Sequence, residues 1–236
     1  MCKDAFETQR QDFLFYCLFG ITKKDTDSDI RIALKACADR AYRDMNRTLD
    51  YRYSTSELEN KPKGFQIEFD SIKKNYKNAV INTIVNSILD NEKKIIVPNI
   101  PNEYNEWHRK LCDDIIQLSK DYPYFEDHLL KKDKFGYSFY YGQAQKWVNM
   151  TLKYMIIMGL LNFDEYKECL HVPIDRYIFR EILDGKETYK GKAWSRIDYD
   201  DYIEIQKIID SKKSSQSAIE WESEVWLKQA KEENNK

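Results

Sequence analysis

The chain has 236 residues, and its 38 lysines and arginines nearly balance its 40 aspartates and glutamates, which gives a formal charge of −2. Its 14% of aromatic residues excludes a disordered chain, and the balanced charge excludes a polybasic nucleic-acid coat but not a local basic site. The 7 glycines and 5 prolines are fewer than half of the average usage of roughly 12% for the two types, which argues against a β-sandwich, a barrel or a glycine-rich nucleotide-binding sheet. The composition therefore predicts a mainly α fold.

The cysteine pattern and the N-terminal residues bear on the cellular compartment. The cysteines are odd in number and no pair has C-x-x-C spacing, so neither a disulfide framework nor a zinc ribbon is expected, and the cytoplasm is the predicted location. The first ten residues carry mixed charge, which predicts no secretory leader. The apolar run 13–19 is too short to span a bilayer, so it predicts a buried helix that ends at Gly20 and no membrane partner.

Residues 28–49 have helical periodicity, with Asp29 as the N-terminal cap and an apolar stripe that includes Leu34, Cys37 and Ala41. Basic side chains populate the other faces of this helix: Arg31, Lys35, Arg40, Arg43 and Arg47. This pattern fits two alternatives. The basic side chains could form a solvated face beside Asp39 and Asp44, or they could contact phosphates.

Further along the chain, residues 65–69 alternate between apolar and polar and predict at most a short strand. A strong helix is expected from Ser71, because apolar residues recur on one face as far as Ile88. A short helix is expected after Pro123. The other predicted helices are 104–118, 142–158, 173–183, 199–210 and 217–230, and a frayed tail is expected at 231–236.

The segment from Gly142 to Asp175 could carry chemistry. Gly142 precedes a helix, so the N–H groups of Gln143, Ala144 and Gln145 are expected to be free to bind a phosphate. Lys146 follows in the first turn, where the helix dipole and partial burial disfavour an ammonium, and a lysine with a lowered pKa can act as a nucleophile. Asp175 begins the next helix, where an ionised carboxylate can stabilise a cation that develops on a sugar.

The residues G-Q-A-Q-K at 142–146 and V-P-I-D at 172–175 resemble the helix-hairpin-helix DNA glycosylase superfamily, and in particular its 8-oxoguanine glycosylase branch. That family has a hairpin G-V-G-x-K, whose lysine is the nucleophile, and a downstream V-P-V-D, whose aspartate is catalytic. The resemblance implies that Lys146 and Asp175 are catalytic and that residues 142–145 contact DNA. It also implies a two-lobed helical domain over 1–230, with the hairpin and catalytic segment at about 125–184.

The sequence departs from that family in several places. Ala144 replaces the second hairpin glycine, and Tyr177 stands where the family has a phosphate-binding histidine, so Tyr177 is a candidate for phosphate contact or for a solvent-facing position. The separation of Lys146 and Asp175 is longer than in the family, with 162–170 as the apparent insertion. The C-terminal four-cysteine cluster is missing, which excludes an iron–sulfur centre, and no other metal site or cofactor is expected.

The resemblance also implies where the base would bind. Met150 and Tyr154 lie four and eight residues after Lys146, on the same helix face, and are expected to line the base pocket. The second wall is expected from the C-terminal helix, which carries Trp221 and Trp226, and Trp221 is the preferred residue.

The implied function is removal of a damaged or modified base, either an oxidised purine or a phage hypermodified base, from double-stranded DNA by a monomeric glycosylase with AP lyase activity. Two alternatives stay open. One is a monofunctional glycosylase in which Asp175 activates water, and the other is a non-catalytic helix-hairpin-helix DNA-binding protein. The sequence does not separate genome repair from antiviral defence.

Overall fold

A computed structural model describes residues 2–121, 129–132, 139–183 and 192–234. Across these ranges the backbone forms eleven α-helices and two isolated bridges but no β-strand, so the prediction of a mainly α fold is confirmed. In chain order the helices are α1 Cys2–Phe19, α2 Lys23–Ser28, α3 Ile30–Met45, α4 Thr55–Glu59, α5 Lys63–Ile88, α6 Pro101–Asp121, α7 Tyr141–Ile157, α8 Phe163–Tyr166, α9 Arg176–Leu183, α10 Tyr199–Lys212 and α11 Ala218–Asn234. Short 3₁₀ turns occur at Asn46–Thr48 and Trp194–Arg196.

Helix α7 lies at the centre of the molecule and packs against α3, α6, α10 and the turn Trp194–Arg196. Most of its residues are buried, including polar ones such as Gln145, Lys146 and Asn149. Because a buried polar group is costly without a hydrogen-bond partner, each of these three side chains is paired within the fold. The centre of the fold is therefore held by specific polar contacts as well as by apolar packing.

Helix α3 approaches α7 closely because small side chains face it. Cys37, Ala38 and Ala41 are fully buried, as the apolar stripe predicted. Trp147 of α7 fills the space beside them, and its indole N–H donates to the carbonyl oxygen of Ala38 at 2.9 Å. This packing fixes the position of α3 along one side of α7.

The expected short strand at 65–69 is wrong, because these residues lie in the first turns of α5. Phe65 and Phe69 are four residues apart and share one helix face, where both rings meet Tyr53 edge-on at 5.3 and 5.5 Å. Ile67 lies between them in sequence and is 61% exposed, so the apolar alternation is satisfied by a helix with one solvent-facing isoleucine.

Both ends of the chain differ from the sequence-based expectations. Helix α1 ends at Gly20, which has a φ of 72°, but Phe13 and Tyr16 are more than 60% exposed, so the expected burial of this helix is wrong. The tail expected to fray from residue 231 is instead helical as far as Asn234, where Glu233 accepts hydrogen bonds from Arg176. The helix expected after Pro123 lies outside the described residues. Within the described ranges, no helix combines the length and apolar character needed to cross a bilayer.

Candidate active site

Lys146 and Asp175 form a buried ion pair. The Lys146 Nζ lies 2.9 Å from Asp175 Oδ2, and the two side chains are 6% and 14% exposed. The other oxygen, Oδ1, accepts the N–H groups of Tyr177 and Ile178 at 2.9 and 3.1 Å. Asp175 therefore caps α9 with one carboxylate oxygen and holds the lysine with the other.

The surroundings of Asp175 favour its ionised form. Burial opposes ionisation, but the Lys146 ammonium and the N–H groups of Ile178 and Tyr177 outweigh this effect and hold the pKa of the carboxyl below its usual value. At neutral pH the site thus contains a fixed carboxylate in hydrogen-bond contact with an amine.

Two glutamine side chains position the extended segment that leads to Asp175. Gln145 accepts the N–H of Ile174 at 3.1 Å and donates to its carbonyl oxygen at 2.9 Å. Gln206 makes the same pair of contacts with Val172, at 3.1 and 2.8 Å. The two amides satisfy the backbone of this buried segment as a neighbouring strand would, and so fix Asp175 relative to α7.

The ion pair lies in a cleft of about 730 Å³. One helix face of α7 supplies the floor, with Lys146, Met150, Lys153 and Tyr154 at positions i, i+4, i+7 and i+8. The remaining walls come from α3, the start of α9, the turn at 194–196 and α11. Their lining residues are Arg40, Arg43, Asp44, Arg47, Thr48, Asp175, Arg176, Tyr177, Trp194, Glu222 and Trp226.

The charge of this cleft is opposite in sign to that of the chain. Among the described residues that line it, six are lysine or arginine and three are aspartate or glutamate, so the lining has a formal charge of +3. The chain as a whole carries −2. Because a cleft with low-dielectric walls concentrates the field of its charges, the site favours an anionic ligand.

At the far end of the cleft floor, two carboxylates are paired with groups from α7 and α3. The hydroxyl of Tyr154 donates to Asp44 Oδ2, while Arg40 lies 3.3 Å from the other oxygen of Asp44. Lys153 pairs with the buried Glu222 of α11. Burial and the adjacent Asp44 carboxylate raise the pKa of Tyr154, so its hydroxyl stays protonated and can donate a hydrogen bond.

The residues expected to contact the base lie in different places. Met150 and Tyr154 line the cleft with Lys146, and their contact with a base stays a prediction. Trp221 is buried outside the described lining, so the expectation that it forms the second wall is wrong. Glu222 and Trp226 take this place because they are four residues apart on one face of α11, whereas Trp221 is turned by roughly 100° from Glu222.

The expected phosphate site at the start of α7 is not open to solvent. Gly142, Gln143, Ala144 and Gln145 are all buried, so the expectation of exposed N–H groups is wrong. The N–H of Gly142 donates to the carbonyl oxygen of Ile197, and those of Gln143 and Ala144 donate to Tyr140. The turn at 194–196 covers this helix end, and residues 133–138 of the expected hairpin lie outside the described ranges.

Tyr177 lies at the mouth of the cleft, where its ring meets Trp226 edge-on at 5.5 Å. From sequence, the arginines were only one possible phosphate surface, Asp44 was only their acidic neighbour, and Trp221 was preferred to Trp226. Trp194 and Glu222 were missed. The spacing of Arg40, Arg43 and Arg47 was a usable signal for a shared face. Asp44 shares this signal, because it lies four residues after Arg40 on α3, whereas Trp194, Glu222 and Trp226 reach the site only through tertiary packing, for which the sequence carried no local signal.

The protein was also compared with known families and structures. No protein-family model matches the chain, and no curated protein or solved structure is significantly similar to it.

Proposed function

We propose that this protein is a DNA N-glycosylase with AP lyase activity that removes a modified base, an oxidised purine or a phage hypermodified base, from double-stranded DNA. The observation that carries the proposal is the buried Lys146–Asp175 ion pair on the floor of a cationic cleft. An amine beside a fixed carboxylate is suited to attack at a sugar carbon that becomes cationic as its base departs.

The form of the cleft supports an extruded nucleotide as the ligand. An enzyme that acts on a base in a duplex must take it out of the stack and bind it in a pocket. Beyond Lys146, the same face of α7 offers the apolar surface of Met150 and the hydrogen-bonding groups of Lys153 and Tyr154. These groups suit the flat face and the polar edge of a base.

The proposed reaction begins with loss of a proton from the Lys146 ammonium to Asp175 Oδ2, its acceptor at 2.9 Å. The free amine then forms a bond to the sugar C1′, and the electron pair of the bond from C1′ to the base leaves with the base. Asp175 passes its proton to the departing base, in keeping with the low pKa of this carboxyl, and the carboxylate that this restores stabilises the positive charge on the sugar. Opening of the sugar ring gives a Schiff base, from which β-elimination cleaves the strand.

Borohydride trapping tests this proposal. The chain is incubated with duplexes that carry oxidised, alkylated, deaminated or hypermodified bases or an abasic site, and base release and covalent adducts are measured. We expect an adduct that Lys146→Gln abolishes and Lys110→Gln preserves, since Lys110 is exposed and lies outside the described lining of the cleft. Absence of both base release and adduct with every duplex would refute the proposal.

The same variants distinguish the two alternatives. A monofunctional glycosylase, in which Asp175 activates water, keeps base release in Lys146→Gln and loses it in Asp175→Asn. A non-catalytic DNA-binding protein releases no base, and its DNA affinity is unchanged in Lys146→Gln.

In the proposed role the protein works as a monomer in the cytoplasm, on the cell's own DNA or on DNA of an invading phage. Expression in a bacterial host separates these two roles. Protection that depends on Lys146 only against phages with hypermodified DNA indicates defence, whereas a lowered mutation frequency indicates repair.

A further inference from the structure

We infer that Arg40, Arg43 and Arg47 bind the backbone phosphates of the DNA strand that carries the extruded nucleotide. This inference rests on the proposed function, because it takes DNA as the ligand of the cleft. It assigns strand binding to α3 and the turn after it, since the start of α7 is buried under the turn at 194–196.

The three arginines form one surface. Arg40 and Arg43 lie on α3 and Arg47 lies in the 3₁₀ turn that follows it, and all three line the cleft that holds Lys146. At the rise per residue of an α-helix followed by a 3₁₀ turn, this segment advances by about 10–12 Å from Arg40 to Arg47, which is close to the axial rise of about three nucleotides of one DNA strand. The surface is therefore long enough to contact successive phosphates.

These side chains also account for the charge of the cleft. The described lining has a formal charge of +3, and without the three arginines its remaining charges would cancel. The planar guanidinium of arginine binds phosphate oxygens in a bidentate manner, so arginines suit a phosphate backbone better than a small neutral ligand.

The hydrogen bonds and the exposure of the arginines leave donor groups that a phosphate oxygen can use. The Nε of Arg40 is buried and has no hydrogen-bond partner among the described residues. An unpaired buried donor is uncommon, and a ligand oxygen would satisfy it. The side chain of Arg43 is 55% exposed and, within the part of the chain that the structure describes, forms an ion pair with Asp39 alone. Arg47 is also exposed, so both side chains are accessible to a phosphate.

The test measures the affinity of the full chain for a duplex with an abasic-site analogue, at several salt concentrations, in the Lys146→Gln background to prevent covalent reaction. Arg43→Gln and Arg47→Gln are compared with Arg109→Gln. Arg109 is a matched control, because it is 57% exposed, has an i,i+4 carboxylate partner and lies outside the described lining of the cleft.

We expect each cleft substitution to weaken binding by about tenfold and to lower the slope of log affinity against log salt by about one, because each removes one phosphate contact. We expect Arg109→Gln to leave both quantities unchanged. If Arg43→Gln and Arg47→Gln bind as tightly as Arg109→Gln, with the same salt slope, the inference is wrong.

This result is independent of the reaction. If DNA binding depends on the arginines but the chain releases no base and forms no adduct, the inferred phosphate contacts are supported and the proposed glycosylase activity is refuted. If a borohydride adduct forms but the arginine variants bind DNA as tightly as the control, the proposed glycosylase activity is supported and the inferred phosphate contacts are refuted.

Discussion

At the scale of single residues, Asp175 uses its two carboxylate oxygens for different partners. One oxygen caps α9, and the other holds Lys146 on α7. The cap sets the direction of the carboxylate before any substrate binds, so the amine meets an acceptor whose position does not depend on DNA. This is the preorganisation that electrostatic stabilisation of a developing charge requires.

Gly142 is required by the close approach of another segment. A Cβ at this position would collide with the carbonyl oxygen of Trp194 and would lie 3.0 Å from Ile197 Cγ1. We therefore expect Gly142→Ala to lower the free energy of unfolding by about 1–3 kcal/mol, because the turn that covers α7 must move. Urea denaturation measures this change.

Gly64→Ala is the control for this substitution. Gly64 lies in α5, and a Cβ there would meet no atom within 4 Å. We expect this substitution to leave the stability unchanged or to raise it by up to about 1 kcal/mol, since alanine favours a helix over glycine. Equal effects of the two substitutions would contradict the packing argument.

At the scale of elements, the segment that leads to Asp175 is extended but pairs with no strand among residues 2–121, 129–132, 139–183 and 192–234. Gln145 binds the backbone of Ile174, next to Asp175, and Gln206 binds that of Val172, three residues away. Both alanine substitutions leave buried backbone groups unpaired, so each should destabilise the fold by about 1–3 kcal/mol.

The effect on base release should differ between the two. We expect Gln145→Ala to slow single-turnover base release by up to about 100-fold, because it frees the residue adjoining Asp175 and so misplaces the carboxylate. Gln206→Ala should slow base release much less, although urea denaturation should show a similar loss in the free energy of unfolding. Equal loss of base release in the two variants would show that stability alone determines the effect.

Element positions followed from sequence where one helix face is apolar. The stripe that includes Cys37 and Ala41 predicted α3, and residues 142–158 correspond closely to α7. The pattern at 65–69 misled because Phe65 and Phe69 satisfy both a strand period of two and a helix spacing of four. The arrangement of the site was harder to predict from sequence. The burial of the start of α7 depends on the distant turn at 194–196, and the position of Glu222 and Trp226 in the wall depends on how α11 is rotated.

At the scale of the whole molecule, the balanced net charge conceals a separation of charge. The described cleft lining carries +3 although the chain carries −2, so acidic residues predominate elsewhere. Outside this lining the formal charges sum to −5, which gives DNA no net electrostatic attraction there. This distribution suits a protein that binds one distorted nucleotide and does not coat a duplex.

Behind the cleft, a buried polar cluster joins α6, α7 and α10 and links the fold to pH. His108 donates from Nε2 to the Asn149 side-chain oxygen at 2.9 Å and stacks on Tyr202, and His171 contacts the Tyr202 hydroxyl at 2.8 Å. Burial lowers the pKa of His171 to about 4. Burial also holds the pKa of His108 well below its usual value, and the neighbouring His171 adds to this effect.

The sign of the pH dependence follows from these lowered pKa values. Below a pH of about 6.5 the histidines of the unfolded chain bind protons that the folded chain does not, so acidification favours unfolding. We expect the free energy of unfolding to be constant between about pH 7 and 8 and to fall by about 1.4 kcal/mol per pH unit for each of the two histidines as the pH drops from about 6.5 to 5. Urea denaturation at pH 7, 6 and 5 measures the slope. His171→Phe should lower the free energy of unfolding at pH 7 but reduce its slope against pH by the contribution of one histidine. An unchanged slope in this variant would place the acid sensitivity elsewhere in the molecule.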